Sequence, residues 1–235
     1  MSLRKPSPRL KPFSPQFKQP PLAAASHTTD VCLTKPTTMN TRTLATIGLL
    51  GAPFLLIDSM RNGLDPFQSN SISGLLNLVY ITAWMCSMVA LKQVGAFGEG
   101  RFGRILFAVQ MAFLTLANCW NVYECIEPRA GTTLYTILDL FWPLSNLCML
   151  VTGITIYAKN VLTGWQRVMP LLVGLWLPFV VVLWALFSRT QGVLLVGNLY
   201  SAITWSFMAV AITSLAEPAD TSEQAPQFSL QKPAF

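Results

Sequence analysis

The sequence predicts an all-α fold: a polytopic membrane protein built as a bundle of six transmembrane helices. Its 235 residues are 52% hydrophobic and only 11% charged, whereas an average soluble domain has about 25% charged residues. The apolar residues also lie in long runs separated by short polar breaks, and a run of roughly 18 or more apolar residues is typical of a membrane-spanning helix. The lipid bilayer is therefore the first predicted partner.

Six apolar runs qualify as spans, and the breaks between them contain glycine, proline, asparagine or charged residues, which are typical of loops. The predicted spans are Leu44–Ile57, Ile72–Leu91, Ile105–Tyr123, Thr133–Tyr157, Val168–Phe187 and Val193–Leu215. The first is the shortest and holds Pro53, while Pro143, Pro170 and Pro178 interrupt later spans. Because proline removes a helix hydrogen bond and clashes with the preceding turn, we expect bends at these positions. Together the spans form one domain of residues 39–217.

Residues 1–38 and 218–235 flank this domain and are predicted to be disordered. The N-terminal segment combines repeated prolines with scattered Lys and Arg, and the C-terminal segment is polar and also contains prolines. Neither composition can bury a packed core. No apolar run precedes Leu44, so the first span itself is expected to direct membrane insertion. Two interpretations of residues 1–38 stay open: a basic arm that binds anionic lipid, or an extension upstream of a native start at Met39.

The basic residues near the span ends are unevenly divided between the two sides of the predicted membrane domain. With six spans both termini share a side, and that side carries the larger set. The larger set is Arg42, Lys92, Arg101, Arg104, Lys159 and Arg167, and the smaller set is Arg61, Arg129 and Arg189. Since short loops rich in Lys and Arg are retained in the cytoplasm, both termini are predicted to be cytoplasmic. The predicted location is a cell membrane, of the bacterial inner-membrane kind.

The composition excludes several classes of chemistry. The single histidine, His27, lies in the N-terminal segment, so the membrane domain cannot present bis-His haem ligation, a His-based zinc site or a Ser-His-Asp triad. The five cysteines form no C-x-x-C pair. The net charge of +6 is spread along the chain rather than gathered in one patch, which argues against nucleic acid as a partner. We predict no cofactor, no metal and no enzymatic activity.

Polar residues inside the predicted spans are few, and they mark a candidate ligand-binding layer. An ionisable group at the centre of a bilayer costs at least about 2.5 kcal/mol and needs a partner or a wet cavity. Asp139 is expected about 9 Å below the outer end of the fourth span, at about 1.5 Å per residue, and Asn118 at a similar depth in the third. The candidate site residues are Asp139, Asn118, Asn121, Asn77 and Asn198.

Two interpretations of this layer stay open. In the first, it is a small polar pocket that is centred on Asp139, opens to the outer side and binds a cation, a proton or a small polar ligand. In the second, its side chains join the helices through hydrogen bonds of about 0.6 kcal/mol each, with Asp139 protonated or paired with Arg129 in the adjacent loop. The inner half of the bundle offers little polarity beyond Gln110, Asn146 and Thr152.

This uneven distribution of polar residues decides the predicted function, because a carrier needs polar groups on both sides of its site. We expect a non-catalytic integral membrane protein, such as a scaffold, a sensor or a subunit. Its partner would be another membrane protein or a second copy of the chain. The alternative is a small transporter, or an ion- or proton-coupled carrier, that uses the pocket around Asp139 in the outer half of the bundle.

Overall fold

The computed structural model describes residues 39–63, 70–128 and 132–216, and in these ranges every regular element is a helix. The α-helices are α1 Thr41–Gly51, α2 Phe54–Arg61, α3 Ser71–Gln93, α4 Arg101–Ile126, α5 Thr133–Asp139, α6 Phe141–Lys159, α7 Met169–Gly174, α8 Trp176–Phe187 and α9 Gln191–Leu215. A short 3₁₀ turn, Gly164–Arg167, precedes α7. Both predicted disordered tails and Arg129 lie outside the described residues.

The helices form up to six segments that could cross a membrane. Five are long and apolar enough by themselves: Thr41–Arg61, Ser71–Gln93, Arg101–Ile126, Thr133–Lys159 and Gln191–Leu215. The sixth consists of Gly164–Gly174 and Trp176–Phe187, which meet at a bend of 49°. These segments confirm the predicted all-α polytopic bundle, and the count is six if the bent pair is one span.

Prolines coincide with the three breaks inside the spans. Pro53 lies in the break at residues 52–53, and Pro143 and Pro178 each lie three residues after the breaks at residues 140 and 175. Each proline lacks the N–H that would bond the carbonyl four residues earlier, so the helix is interrupted at that turn. The first span nevertheless continues past Pro53 as α2 and ends at Arg61, four residues beyond its predicted end.

Small residues let α1 approach α3 closely. A side-chain carbon placed on Gly48 would lie 2.0 Å from the hydroxyl of Ser87, and one on Gly51 would lie 2.1 Å from the methyl group of Ala83. Membrane helices pack mainly through van der Waals contacts, and small residues at the interface allow those contacts. Next to this interface, the rings of Trp84 in α3 and Trp205 in α9 lie 4.8 Å apart at the centre of the core.

The ends of the helices gather at two opposite sides of the bundle. At one of them, the Gln93 side, Thr41 donates a 2.8 Å hydrogen bond to Gln93, so α1 begins where α3 ends. At the other, the Asp58 side, Gln191 donates a 3.1 Å hydrogen bond to the carbonyl of Gly63, so α9 begins beside the end of α2. The larger set of basic residues lies at the helix ends on the Gln93 side, and Arg61 and Arg189 lie at the helix ends on the Asp58 side.

Candidate functional site

Asp139 does not lie at the centre of the predicted polar layer. It is the last residue of α5, a seven-residue helix with no buried residue, and its side chain is exposed. Pro143 breaks the span directly after Asp139, and α5 lies against α4 and α6 at the edge of the bundle. The depth estimated from the sequence fixed a level along the helix but not the direction of the side chain. The structure therefore places Asp139 at the surface of α5 and not in the middle of the predicted pocket.

Two carboxylates of the described bundle are buried, Glu124 near the end of α4 and Asp58 in α2, and Asp58 is bonded to Asn77 of the predicted layer. Asp58 is only 8% exposed. Its Oδ1 accepts a hydrogen bond of 3.2 Å from Asn62, one turn later, and its Oδ2 accepts one of 3.2 Å from Asn77 in α3. Asn62 also donates a 2.7 Å hydrogen bond to Ser73 in α3. Each carboxylate oxygen thus has an amide donor, which offsets the cost of burying it.

Asn70 extends this network to the start of α3. Its side-chain oxygen caps the helix by accepting hydrogen bonds of 3.1 and 2.9 Å from the backbone N–H groups of Ile72 and Ser73. Arg61 donates a further bond of 3.1 Å to the same oxygen, and the amide of Asn70 donates one of 3.2 Å to Asn62. Side-chain hydrogen bonds therefore link the end of α2 to the start of α3. We call Asp58, Asn62, Asn70, Ser73 and Asn77 the Asp58 network.

Asn198 joins α9 to the same end of α2. It is 8% exposed, and its amide donates a hydrogen bond of 2.5 Å to the hydroxyl of Ser59. Ser59 directly follows Asp58 in the chain. Two of the predicted site residues, Asn77 and Asn198, thus contact successive residues of α2, and through them three spans meet at the Asp58 side.

The other two predicted asparagines form a separate pair on α4. Asn118 donates a 3.0 Å hydrogen bond to Thr82 in α3, and Asn121 donates one of 3.2 Å to the side-chain oxygen of Asn118. Asn121 is completely buried, and within the described residues its own oxygen has no hydrogen-bond partner. Gln110, lower on the same helix, is also completely buried, and neither of its amide atoms has a partner there.

The structure thus divides the predicted layer into three places: α2 with Asn77 and Asn198, α4 with Asn118 and Asn121, and the outer face of α5 with Asp139. The residue that the site prediction missed is Asp58. A signal for it was present, because Asp58 and Asn62 are spaced by one helical turn, as are Ser73 and Asn77. A charged residue at a span end is ordinarily an interfacial residue, which hid this pattern.

The cavities of the described bundle differ in character from these polar networks. Two grooves of about 340 Å³ each open at its surface. One is lined by Ile47, Leu50, Gly51, Phe54, Leu78, Val79, Thr82 and Ala83, and the other by Leu175, Pro178, Phe179, Val182 and Tyr200. Their linings are almost entirely apolar, which suits lipid chains better than a polar ligand. The described residues contain no group of three or more His, Cys, Asp or Glu side chains that could hold a metal ion.

Comparisons with protein families, with characterised proteins and with solved structures give no significant match for this chain.

Proposed function

We propose that this chain is a non-catalytic integral membrane protein, a subunit or scaffold, in which the polar side chains within the spans hold the helices together. The observation that supports this proposal is that the amide groups of four asparagines donate hydrogen bonds to other side chains of the chain. Asn77, Asn118 and Asn198 each donate a hydrogen bond to a side chain of another helix, and Asn121 donates to Asn118. A ligand would have to displace these bonds, each of which contributes about 0.6 kcal/mol in a membrane.

The side chains of the Asp58 network bond to one another, as expected of residues that hold two helices together. Each oxygen of its carboxylate accepts one amide donor from the chain itself, so neither oxygen is free of protein contacts. A site that binds cations from water would instead need carboxylate or carbonyl oxygens that are free to replace the hydration shell.

The same proposal includes the orientation and location of the bundle. The Gln93 side carries Arg42, Lys92, Arg101, Arg104, Lys159 and Arg167, against Arg61 and Arg189 on the Asp58 side. By the positive-inside rule the Gln93 side faces the cytoplasm, so both termini are cytoplasmic if the bent pair is one span. The proposed location is a cell membrane, of the bacterial inner-membrane kind.

A carrier is the second candidate, and the observation that favours it is the buried polarity of α4. Gln110 and Asn121 are fully buried and carry amide atoms with no partner in the described chain. Buried groups of this kind are ordinarily hydrogen-bonded, and bound water or a transported ion would supply the missing partner. Coupling to an ion or a proton would then use Asp58, a carboxylate that the fold buries beside Asn77.

Proton and potassium flux into vesicles separates these two functions. Purified protein is reconstituted into liposomes, and an imposed pH or potassium gradient is followed with an indicator dye. The subunit or scaffold proposal predicts decay no faster than in protein-free vesicles, for the wild type and for Asp58→Asn. It also predicts that Asp58→Asn lowers the melting temperature, since the new amide has a single acceptor oxygen where Asn62 and Asn77 each donate a hydrogen bond.

A fast decay that Asp58→Asn abolishes, in protein that stays folded and monodisperse, would overturn the proposal in favour of the carrier. Asp139→Asn serves as the matched control, because it makes the same chemical change at an exposed position outside the network.

A further inference from the structure

The first turn of α4 presents two arginines on the outer surface of the bundle. Arg101 and Arg104 are both exposed, and at about 100° per residue they lie about 60° apart around the helix axis. Gly103, Leu106 and Gln110 are buried and mark the opposite face, which packs against the rest of the bundle. The two guanidinium groups therefore lie on the face of α4 that lipid covers.

Two exposed lysines from neighbouring helices extend this charge on both sides of α4. Lys92, in the last turn of α3, places its Nζ 4.3 Å from the centre of the Phe107 ring. Lys159, the last residue of α6, places its Nζ 5.5 Å from the centre of the Phe102 ring. Both rings belong to α4 and lie on the two flanks of its exposed face. We call Lys92, Arg101, Arg104 and Lys159 the basic arc.

The basic arc lies at the depth of lipid headgroups. The span Arg101–Ile126 has 26 residues, which is about 39 Å of helix at about 1.5 Å per residue. A hydrocarbon core about 30 Å thick leaves about 4.5 Å of this helix outside the core at each end. Arg104 is about 4.5 Å from the start of the span, so both arginines lie at or outside the edge of the hydrocarbon.

The exposed face of α4 next to the arginines, toward the middle of the membrane, is apolar and flat. Ile105 is 63% exposed, and Ala108 and Ala112 are exposed on the same side of the helix. Alanine side chains project little from a helix, so an acyl chain can lie along this face. The complement of the whole surface is a molecule with an anionic head and apolar chains, which is the form of an anionic phospholipid.

The acidic residues of the chain itself are less suited to the basic arc. Within the described residues, the four side chains form no hydrogen bond or ion pair, although Glu99 lies in the preceding turn. Glu217, Asp220 and Glu223 follow α9 and lie outside the described residues. The helix α4 packs against α3, α5 and α6, whereas α9 packs mainly against α1, α2, α7 and α8. Lipid reaches the arc directly from the surrounding bilayer, which favours lipid as its occupant.

We propose that the basic arc binds the phosphate headgroup of an anionic phospholipid whose acyl chains lie along the exposed face of α4. The proposed orientation places the arc at the cytoplasmic leaflet, whose surface is negatively charged. A guanidinium group gives two parallel hydrogen bonds to a phosphate, and the lysines add charge on both sides. The inference goes beyond the proposed function, since it applies equally to a subunit, a scaffold or a carrier.

Lipid binding to the full chain in detergent micelles tests the proposal. Native mass spectrometry gives the Kd of dioleoyl phosphatidylglycerol and of dioleoyl phosphatidylcholine, which have the same chains and differ in net charge. We expect phosphatidylglycerol to bind about 25-fold more tightly, as two cations that each contribute about a factor of five would give. Arg101→Gln/Arg104→Gln should reduce this preference to less than about fivefold, while binding of phosphatidylcholine stays unchanged.

Two further double variants make the result specific. Arg4→Gln/Arg9→Gln removes the same two charges from the N-terminal segment, and it should keep the preference. Lys92→Gln/Lys159→Gln removes the other half of the arc and should reduce the preference even if the Arg101→Gln/Arg104→Gln variant does not fold. The melting temperature of each variant reports folding.

Four results would overturn the proposal. The first is equal binding of both lipids by the wild type, and the second is an equal loss of preference in Arg4→Gln/Arg9→Gln and in the variants of the arc. The third is displacement of phosphatidylglycerol by millimolar inorganic phosphate, which would indicate a soluble anion as the ligand. The fourth is a preference that appears only after Glu217, Asp220 and Glu223 are replaced with amides, which would assign the arc to the C-terminal segment.

Discussion

The amide of Asn77 in α3 donates a hydrogen bond of 3.2 Å to the carboxylate of Asp58 in α2, and this bond joins two spans at the Asp58 side. The other carboxylate oxygen is bonded to Asn62 within α2. Asp58 is thereby held in a buried position that a lone carboxylate could not occupy. One substitution in this pair would leave a buried carboxylate oxygen without its donor.

Replacing Asn77 with leucine should therefore destabilise the protein. The leucine leaves one oxygen of a buried carboxylate without a donor, which costs about 1–3 kcal/mol. The measurement is the free energy of unfolding in detergent micelles. Thr46→Leu is the matched control, because Thr46 is exposed on α1 and bonds only the backbone of its own helix. Equal stability of Asn77→Leu and the control would contradict the role assigned to the Asp58 network.

The bond between Asn198 and Ser59 permits a double-mutant cycle across α9 and α2. Asn198→Leu and Ser59→Ala each remove one partner of the 2.5 Å contact. The coupling energy should be about 0.6 kcal/mol, the average for hydrogen bonds between membrane helices. The stabilities of the wild type, both single variants and the double variant give this value. A coupling of zero would mean that the two residues stabilise the bundle independently.

The spans were predictable because hydropathy reports burial in lipid directly. The last span was predicted as Val193–Leu215, and α9 runs from Gln191 to Leu215. The polar residues that begin and end the helices were missed, since caps such as Asn70 lie outside the apolar runs. The end of the first span was missed for a related reason: Asp58 and Arg61 interrupt hydropathy although they are helical.

The candidate site was less predictable, because it depends on rotation as well as depth. Counting residues placed Asp139 and Asn118 at one level, but the break at Leu140 separates α5 from α6. Small changes in helical twist accumulate along a span, and they decide whether a given side chain faces the interior of the bundle or the lipid. Asn77 could be placed in the polar layer from sequence, whereas its partner Asp58 depended on the path of α2 beyond Pro53.

Gly48 should not tolerate alanine, because its side-chain carbon would lie 2.0 Å from the hydroxyl of Ser87. We expect Gly48→Ala to lower the melting temperature, as overpacking typically costs about 1–3 kcal/mol. Ser87→Ala removes that hydroxyl, so the double variant should recover much of the loss. Gly192→Ala, where the added carbon meets nothing within 4 Å, is the control. Without recovery in the double variant, the steric explanation fails.

The glycines at the contact between α6 and α7 should tolerate substitution less well than Gly48. A side-chain carbon on Gly174 would lie 2.5 Å from the Cα of Leu150, and one on Gly153 would lie 2.5 Å from the Cα of Leu171. These are backbone atoms, which cannot move aside as a hydroxyl can. Gly174→Ala should therefore lower the melting temperature more than Gly48→Ala, and Leu150→Ala should not rescue it. A milder effect than that of Gly48→Ala would show that the two helices can separate at little cost.

The bend of 49° after Gly174 leaves one topological question that cysteine labelling answers. Val161 follows α6, Arg189 follows α8, and both are exposed. In a background without native cysteines, a membrane-impermeant thiol reagent should label Arg189→Cys in intact cells, and Val161→Cys only after permeabilisation. This outcome requires that α7 and α8 together cross the membrane and that the Gln93 side is cytoplasmic. Glu99→Cys, in the exposed turn between α3 and α4, gives the reference for that side.

Labelling of both Val161→Cys and Arg189→Cys from the same side would mean that the bent pair is re-entrant and that the bundle has five spans. Labelling of Glu99→Cys and Val161→Cys in intact cells, with Arg189→Cys labelled only after permeabilisation, would mean that the orientation is reversed.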